Sequence, residues 1–477
     1  MTGEPYTLTL AQASAAIKQR SLSPVELLES VLKRVAETEP EINAFATMTE
    51  ESARAAAKES EAEISAGRYR GPLHGIPLGV KDIFDVDGVA TGCGSAVRQG
   101  HIASGASRVV SRLQGSGMIV IGKTHTHEFA LGGITPEVRN PWNVGHSPGG
   151  SSGGSGAAVA SGQCLVATGT DTAGSIRIPA AASGVVGLKP TYGLVSRAGI
   201  TPLSWSFDTA GALTRNVTDA AIVLQAIAGH DSADPASTTA PAVDYTADIN
   251  SGIDGIRLGV LDGYFRTRVD PRILKAVETA VGVLSELGAG RRDRTAPFAQ
   301  ESLGALRIID LAEASNYHRR DLHERAALYT PGVRTALEAG LLLPAVDYVQ
   351  AQRFRLAMTS AWQALFEDSD VLVAPTLPIT APRVGQTDID WGAEGSELVR
   401  TAIVRLTCPV NVVGFPSIAV PIGLTDDGMP MSMQLVGRPF SEGMLLRVAR
   451  AYEAATVTIG RIAPVTASPT ITSDRRE

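Results

Sequence analysis

The sequence has little cysteine, no excess of basic charge and no long apolar run. Its three cysteines, Cys93, Cys164 and Cys408, are isolated in the chain. Without C-x-x-C spacing they favour reduced thiols over disulfides or a zinc cage, and so predict a cytoplasmic protein. The formal net charge of −7 argues against a nucleic-acid partner, which would need a basic surface. No apolar run reaches about 18 residues, so we expect no membrane span.

The composition is that of a large globular chain. Of 477 residues, 44% are hydrophobic and 19% are charged, which allows a sizeable core. Segments typical of strands and of helices alternate along the chain, and neither an internal repeat nor a linker interrupts them. This alternation predicts one α/β domain over residues 1–477. We expect a central mixed, mostly parallel twisted sheet covered by helices on both faces.

Local signals predict several elements of this fold. Residues 1–66 read as a helical segment, in which Ser23-Pro24-Val25-Glu26 marks a helix start with a capping serine and proline at the first helical position. A further helix is predicted over 50–66. Short apolar runs predict buried strands, at 118–121, 256–261, 371–375 and within 417–437.

The stretch from Gly149 to Pro179 is rich in glycine, serine and threonine. Glycine reaches backbone angles closed to other residues, and serine side chains bond local backbone groups. Such a stretch can bring main-chain amides and hydroxyls close to a ligand. Its two turns are separated by a short helix and a strand, so Ser151 and Ser175 are expected to come together.

Two short motifs match functional patterns in their letters only. Residues 117–124 fit the phosphate loop G-x-x-x-x-G-K-[ST], but the four middle residues are an apolar β-run where that mechanism needs a flexible loop. His125 and His127 could be metal ligands, but no downstream cluster completes the roughly three protein ligands of a catalytic metal. We expect a polar loop there, with no metal and no cofactor.

Residues 149–153 also match G-x-S-x-G, the nucleophile elbow of α/β-hydrolases. That fold needs an acid and then a histidine late in the chain, whereas the last histidine here is His323. An α/β-hydrolase-like esterase that uses Ser151 or Ser152 with a histidine base stays open as an alternative.

Lys81 is a second group that could activate a serine. An unassisted hydroxyl is a poor nucleophile and needs a base within hydrogen-bond reach. Lys81 follows a glycine- and proline-bounded apolar run, so its side chain could emerge from a buried strand. Burial disfavours the charged ammonium, and a neutral amine can accept a proton.

Taken together, these motifs resemble the amidase signature family. The lysine block GIPLGVKD, the loop GGSSGGSGAA, the turn GTDTAGSIRIPA and the interval between Ser151 and Ser175 all match it. Further blocks extend the resemblance over nearly the whole chain: GKTHTHEFA, RNPWN, SGVVGLKPTYG, TPLSWSFDTAGALTRNV, PVNVVGFPSIAVPIG and DGMPMSMQLVG. It implies the amidase signature fold, with a signature core over 73–215. The match is weakest over about 240–370, a variable, mainly helical region that lines part of the substrate pocket in this family.

The resemblance also implies a mechanism. Ser175 would be the nucleophile that forms the acyl-enzyme, Ser151 the bridging serine after a cis peptide with Gly150, and Lys81 the base. Backbone amides of the nucleophile turn would form the oxyanion hole. Where many members have glycine this chain has Ala173, whose methyl fits if the local angles suit an L-residue. The implied turn residues are Thr172, Ala173 and Gly174, and the implied loop-supporting residues are Ser152 and Arg177.

Departures from the family pattern narrow the substrate. Members that amidate misacylated transfer RNA carry glutamine at Ile178, and asparagine and aspartate at His125 and His127. We therefore expect a small-molecule carboxamide or acyl hydrazide, and no role on transfer RNA. His125, His127 and Trp205 are the candidate pocket residues. A homodimer is a family-level expectation, and a non-catalytic binding subunit of the same fold is a further alternative.

Overall fold

The computed structural model describes residues 4–239 and 243–465. Thirteen strands lie in these residues, namely β1 (Phe45–Met48), β2 (Pro77–Lys81), β3 (Ile119–Thr124), β4 (Val166–Thr170), β5 (Val186–Lys189), β6 (Ala210–Thr214), β7 (Arg257–Asp262), β8 (Gly290–Thr295), β9 (Val371–Pro375), β10 (Asp388–Asp390), β11 (Ser396–Leu398), β12 (Ser417–Leu424) and β13 (Pro430–Val436). The same residues contain fourteen α-helices, namely α1 (Leu10–Lys18), α2 (Pro24–Ile42), α3 (Glu50–Ser65), α4 (Arg108–Gly115), α5 (Gly153–Ser161), α6 (Arg177–Ser183), α7 (Val217–Ile227), α8 (Pro271–Glu286), α9 (Ser302–Arg325), α10 (Pro331–Gly340), α11 (Ala345–Ala364), α12 (Val399–Arg405), α13 (Cys408–Val413) and α14 (Glu442–Ala455).

Eleven of the described strands form one sheet, in the order β1-β3-β2-β4-β6-β5-β12-β13-β9-β7-β8. Every residue of β2, β4, β6 and β9 is buried, so both faces of the sheet are covered there. The predicted mixed α/β fold is confirmed. Within the described chain, no helix is long and apolar enough to cross a membrane.

The strand directions correct one part of the prediction. β2 is parallel to β3 and β4, and β7 is parallel to β8 and β9, but the other neighbours in this sheet are antiparallel. The sheet is therefore mostly antiparallel, and the expectation of a mostly parallel one is wrong. The physical reason lies in the connections: a short turn joins β12 to β13, and only antiparallel strands can be joined so closely.

The local signals were mostly reliable. Ser23 Oγ accepts from the Glu26 amide at 3.1 Å while the Glu26 carboxylate accepts from the Ser23 amide at 2.8 Å, which is the predicted capping box. α3, β3, β7 and β9 lie where helices or strands were expected. The prediction of an all-helical start missed β1, which pairs with β3 at the sheet edge. Residues 117–124 run into β3, and Lys123 forms a buried 2.9 Å ion pair with Asp82, so this segment is strand and not a phosphate loop.

Candidate active site

Lys81 is the last residue of β2 and is fully buried. Its Nζ lies 2.8 Å from Ser151 Oγ and 2.8 Å from Thr170 Oγ1. Its backbone amide donates to Thr168 Oγ1 at 2.9 Å. Thr168 and Thr170 both belong to the adjacent strand β4. The pairing of β2 with β4 therefore holds both the backbone amide and the Nζ of Lys81.

The electrostatics of this position favour a neutral amine. Burial lowers the pKa of Lys81 to about 7, although the negative charges of Asp208 and Asp171 act in the opposite direction. Desolvation disfavours the charged ammonium because the charge loses its hydration. The lowered pKa makes the neutral amine more accessible near neutral pH than it is for an exposed lysine.

Ser151 is held by its backbone as well as by Lys81. The Gly150–Ser151 peptide is cis. The carbonyl of Ser151 accepts hydrogen bonds from the His127 amide at 3.1 Å and from Thr135 Oγ1 at 3.0 Å. A side chain at Gly150 would press against the backbone of Ile134, so glycine is needed for this close approach.

Ser175 lies in the turn between β4 and α6. It is 6% exposed, whereas Lys81 and Ser151 are both 0% exposed. Among these three residues it is thus the one most open to a substrate. At the start of the same turn, Thr172 Oγ1 donates to Asp208 Oδ1 at 2.6 Å, which anchors the turn to the segment before β6.

A buried ion pair fixes the other side of this turn. Arg177 Nε donates to Asp171 Oδ2 at 3.0 Å, and both side chains are inaccessible to solvent. Burial raises the pKa of Asp171, but the charge and hydrogen bonds of Arg177 outweigh it, so the net shift is downward. Arg177 also donates to Gln434 Oε1 at 2.8 Å and to Asn411 Oδ1 at 2.6 Å. Strand β13 and helix α13 therefore support the turn from far along the chain.

Ala173 and Gly174 occupy different backbone conformations. Ala173 lies outside the left-handed region, so its methyl is compatible with the turn. Gly174 has a φ of 131°, and a side chain there would overlap Thr407. Thr407 is itself bonded to the turn, because its Oγ1 donates to the Ala173 carbonyl at 2.6 Å.

Substitution should have a large effect at Gly174 and a small one at Ala173. Gly174→Ala is expected to lower kcat on the order of 10²-fold, because moving the turn would displace the predicted oxyanion donors. Ala173→Gly serves as the matched control and should change kcat less than about threefold, since the amides stay in place. Steady-state kinetics of both purified variants measure this. Equal losses in the two variants would contradict this account of the turn.

The family model for amidases matches residues 26–446. The chain belongs to the amidase family. A Pseudomonas putida protein named amidase is 46% identical to it over 94% of this chain and 96% of that protein. A glutamyl-tRNA(Gln) amidotransferase subunit from Roseiflexus sp. (strain RS-1) is 38% identical over 94% of this chain and 97% of its own length. A solved structure of a vestigial protein complex, described as revealing the origins of an s-triazine catabolic enzyme, has a TM-score of 0.91 at 35% identity and covers 95% of this chain and 100% of its own.

Ser152 lies beside the two turns of this amidase. It is buried, and its Oγ donates to the Thr170 carbonyl at 3.4 Å. The α/β-hydrolase elbow requires a strand that leads directly into the serine turn. In this chain, β3 and α5 are separated by a loop that contains a 3₁₀ turn at Glu128–Ala130. Because that context differs and Ser151 Oγ bonds Lys81, the structure contradicts the elbow alternative.

His125 and His127 flank the Ser151 loop of the amidase. The His125 amide donates to the Ala44 carbonyl at 2.8 Å, and its carbonyl accepts from the Gly154 amide at 3.2 Å. The His127 ring packs against Gly132, and its amide bonds the Ser151 carbonyl. Burial lowers the pKa of both imidazoles. Both histidines are half-buried next to the loop that carries Ser151.

Trp205 is 42% exposed and lines two cavities of the amidase. One, of about 240 Å³, is also lined by Thr170 and Asp208, the partners of Lys81 and Thr172. The other, of about 990 Å³, is also lined by Glu313 and Arg355 from the helices α9 and α11. Trp205 therefore lies between the cavity beside Thr170 and Asp208 and the cavity beside the helices α9 and α11.

Proposed function

We propose that this amidase hydrolyses a C–N acyl bond of a small molecule through an acyl-enzyme on Ser175. Neutral Lys81 takes a proton from Ser151, which takes one from Ser175 as its oxygen attacks the carbonyl carbon. Amides of the turn 172–175 stabilise the oxyanion. The same relay returns a proton to the nitrogen as the C–N bond breaks and the amine or ammonia leaves. Water, deprotonated by the relay, then attacks the ester, and the relay returns that proton to the Ser175 oxygen as the C–O bond breaks and the carboxylate leaves.

The 2.8 Å contact between Lys81 Nζ and Ser151 Oγ carries this proposal. Lys81, the proposed base, has a pKa of about 7 and is in hydrogen-bond contact with one of the two serines, which supports the relay. A base poised near the working pH is the efficient choice for general acid–base catalysis. The proposed steps use side chains, backbone amides and water, so they require no cofactor or metal.

Three residues of this chain differ from those of transfer-RNA amidotransferases and bear on the substrate class. Ile178, His125 and His127 replace the glutamine, asparagine and aspartate expected of a transfer-RNA amidotransferase. We therefore propose a free carboxamide or acyl hydrazide as substrate, in spite of the 38% identity to a subunit of such an enzyme. The three cysteines are free and buried, which supports a reducing, cytoplasmic location. The homodimer stays a prediction.

Serine-directed labelling tests the site. We expect a fluorophosphonate to modify Ser175, and Lys81→Ala to abolish the adduct, because the hydroxyl is then no longer activated. Peptide mapping by mass spectrometry locates the adduct. Modification of Ser151 or Ser152, or equal labelling in Lys81→Ala, would refute the relay. A folded protein that is neither labelled nor active on amides, esters and hydrazides would favour the alternative of a non-catalytic binding protein.

A further inference from the structure

Helix α11 has two apolar faces, of which the fold uses only one. Its inner face carries Ala351, Met358 and Trp362, which are buried. Trp362 also donates from Nε1 to the Pro297 carbonyl at 2.9 Å. The outer face of such a surface helix is normally polar. In α11 the outer face is apolar too, and the contacts within the described chain give no reason for it.

Three large side chains form a stripe along this outer face. Val346 is 73% exposed, Val349 55% and Leu356 71%. Their spacing of three and seven residues places them on one side of the helix. Leu341 and Leu342, which precede the helix, are exposed as well, whereas the other exposed large apolar side chains of the described residues are scattered singly along the chain. Single exposed apolar residues are ordinary, but a cluster marks an interaction surface.

The charge of this face bears on its partner. Asp347 and Arg353 are charged, one of each sign, and the other exposed residues of α11 are apolar or neutral. A helix that lies on a membrane typically carries several lysines or arginines beside its apolar face. The whole chain has a formal net charge of −7, so two copies repel each other over much of their surface. They would meet with least repulsion at a face that is neutral overall, as this one is.

The spacing of the stripe also makes it complementary to a second copy of itself. Its members lie three, four and three residues apart, namely Val346, Val349, Arg353 and Leu356. The pattern is therefore the same in both directions along the helix. When two copies pack antiparallel about a two-fold axis at the level of Ala351, Val346 meets Leu356 of the second copy and Val349 meets its Arg353. Such reciprocal pairs are what a two-fold interface requires, and alternating steps of three and four interlock two helices.

We propose that the outer face of α11 is the interface of a homodimer, in which two copies of the helix pack antiparallel. The contact removes Val346, Val349 and Leu356 from water, and burial of apolar area is the main driving force of association. The aliphatic stem of Arg353 covers Val349 of the second copy while its charged end reaches water. The inference does not depend on acyl transfer at Ser175, and it gives the predicted homodimer a surface.

Sedimentation velocity of the full chain tests this interface. The parent should be a dimer at the top of a concentration range of about 0.1 to 50 μM, since dimerisation follows mass action. Val346→Asp should raise the dimer dissociation constant on the order of 10²-fold or more, because each dimer would then bury two carboxylates against Leu356. Val346 is mostly exposed and lies in the first turn of α11, where an acid is favourable. The fold of the single chain should therefore persist, and circular dichroism checks this.

Two substitutions at Val349 test the register of the two copies. In the proposed arrangement Val349→Lys would place a cation beside Arg353 of the second copy, whereas Val349→Asp would place an anion there. We expect Val349→Lys to raise the dissociation constant about tenfold or more above that of Val349→Asp, because like charges at an interface are unfavourable. An added Arg353→Glu should reverse the order of the two. The same sedimentation measurements report both results.

Val457→Asp is the matched control, since it adds the same charge at a similarly exposed valine outside α11. It should leave the dissociation constant within about threefold of the parent's, because salt screens a charge outside the interface. A parent that is monomeric over the whole range would overturn the inference. So would a dimer that Val346→Asp leaves intact, or Val349→Lys and Val349→Asp proteins that associate equally. Monomers that bind phosphatidylserine vesicles, and lose that binding in Val346→Asp, would overturn it and assign the face to a membrane.

Discussion

Ser175→Ala is expected to abolish amide hydrolysis, with kcat lower on the order of 10⁴-fold or more, as when the nucleophile of another acyl-transfer enzyme is removed. The reason is covalent: without the hydroxyl no acyl-enzyme can form, and the relay through Ser151 has no proton to move. The substitution removes one oxygen from a residue that is 6% exposed, so the fold should persist. Single-turnover and steady-state assays on a carboxamide substrate measure the loss.

The control for this result is stability. The melting temperature of Ser175→Ala should lie within about 2 °C of the parent, because removing a single hydroxyl costs little in a chain of this size. Retained activity in a folded Ser175→Ala protein would show that another group attacks the carbonyl. It would refute the proposed acyl-enzyme while leaving the family assignment intact.

Lys81→Met is expected to lower kcat/KM about 10³-fold, which is within the range for loss of a general base. Methionine keeps most of the lysine's length and its apolar stem, so the change removes the basic nitrogen and little else. In the parent, kcat/KM should rise as pH increases through about 7 and then level, because deprotonation of the Lys81 ammonium supplies the base. The residual activity of Lys81→Met should lack this rise.

A pH series on both proteins checks this assignment. The expected rise of kcat/KM with pH has a definite direction, because only the neutral amine can accept the proton from Ser151. An acidic optimum in the parent, with activity falling above pH 7, would refute Lys81 as the base. So would a Lys81→Met variant that keeps the parent's pH profile at reduced amplitude, since another group would then be titrating.

The sequence predicted local structure better than strand direction. The capping box at Ser23 depends on residues three apart, so it could be read directly from the chain. The direction of β5 and β6 depends on how the chain returns across the sheet after Lys189. No local pattern records that return. The alternation of helices and strands therefore suggested more crossovers, and hence more parallel pairs, than the sheet has.

In the candidate site too, residues within short motifs could be predicted from the sequence, whereas contacts between residues far apart in the chain could not. Ser151 and Ser175 stand in a recognisable stretch, and Lys81 ends a recognisable strand. Two of the partners of Arg177, in contrast, are Asn411 and Gln434, more than two hundred residues away along the chain. Gln434 and Asp208 stand inside blocks that resemble the family, yet the letters alone do not say which contact each makes. Thr170 was missed because a threonine at the end of a strand usually has no catalytic neighbour.

The support of the nucleophile turn by the far end of the chain has a consequence during synthesis. Lys81, Ser151 and Ser175 leave the ribosome early, but the glutamine that holds Arg177 belongs to the last strand of the sheet. Until α13 is made, Asp171 lacks the side-chain amide of Asn411, and until β13 is made, Arg177 lacks Gln434 as an acceptor. A nascent chain therefore carries every proposed reactive group without the scaffold that aligns them. We therefore expect hydrolytic competence to appear only after Asn411 and Gln434 have been made and have reached Asp171 and Arg177.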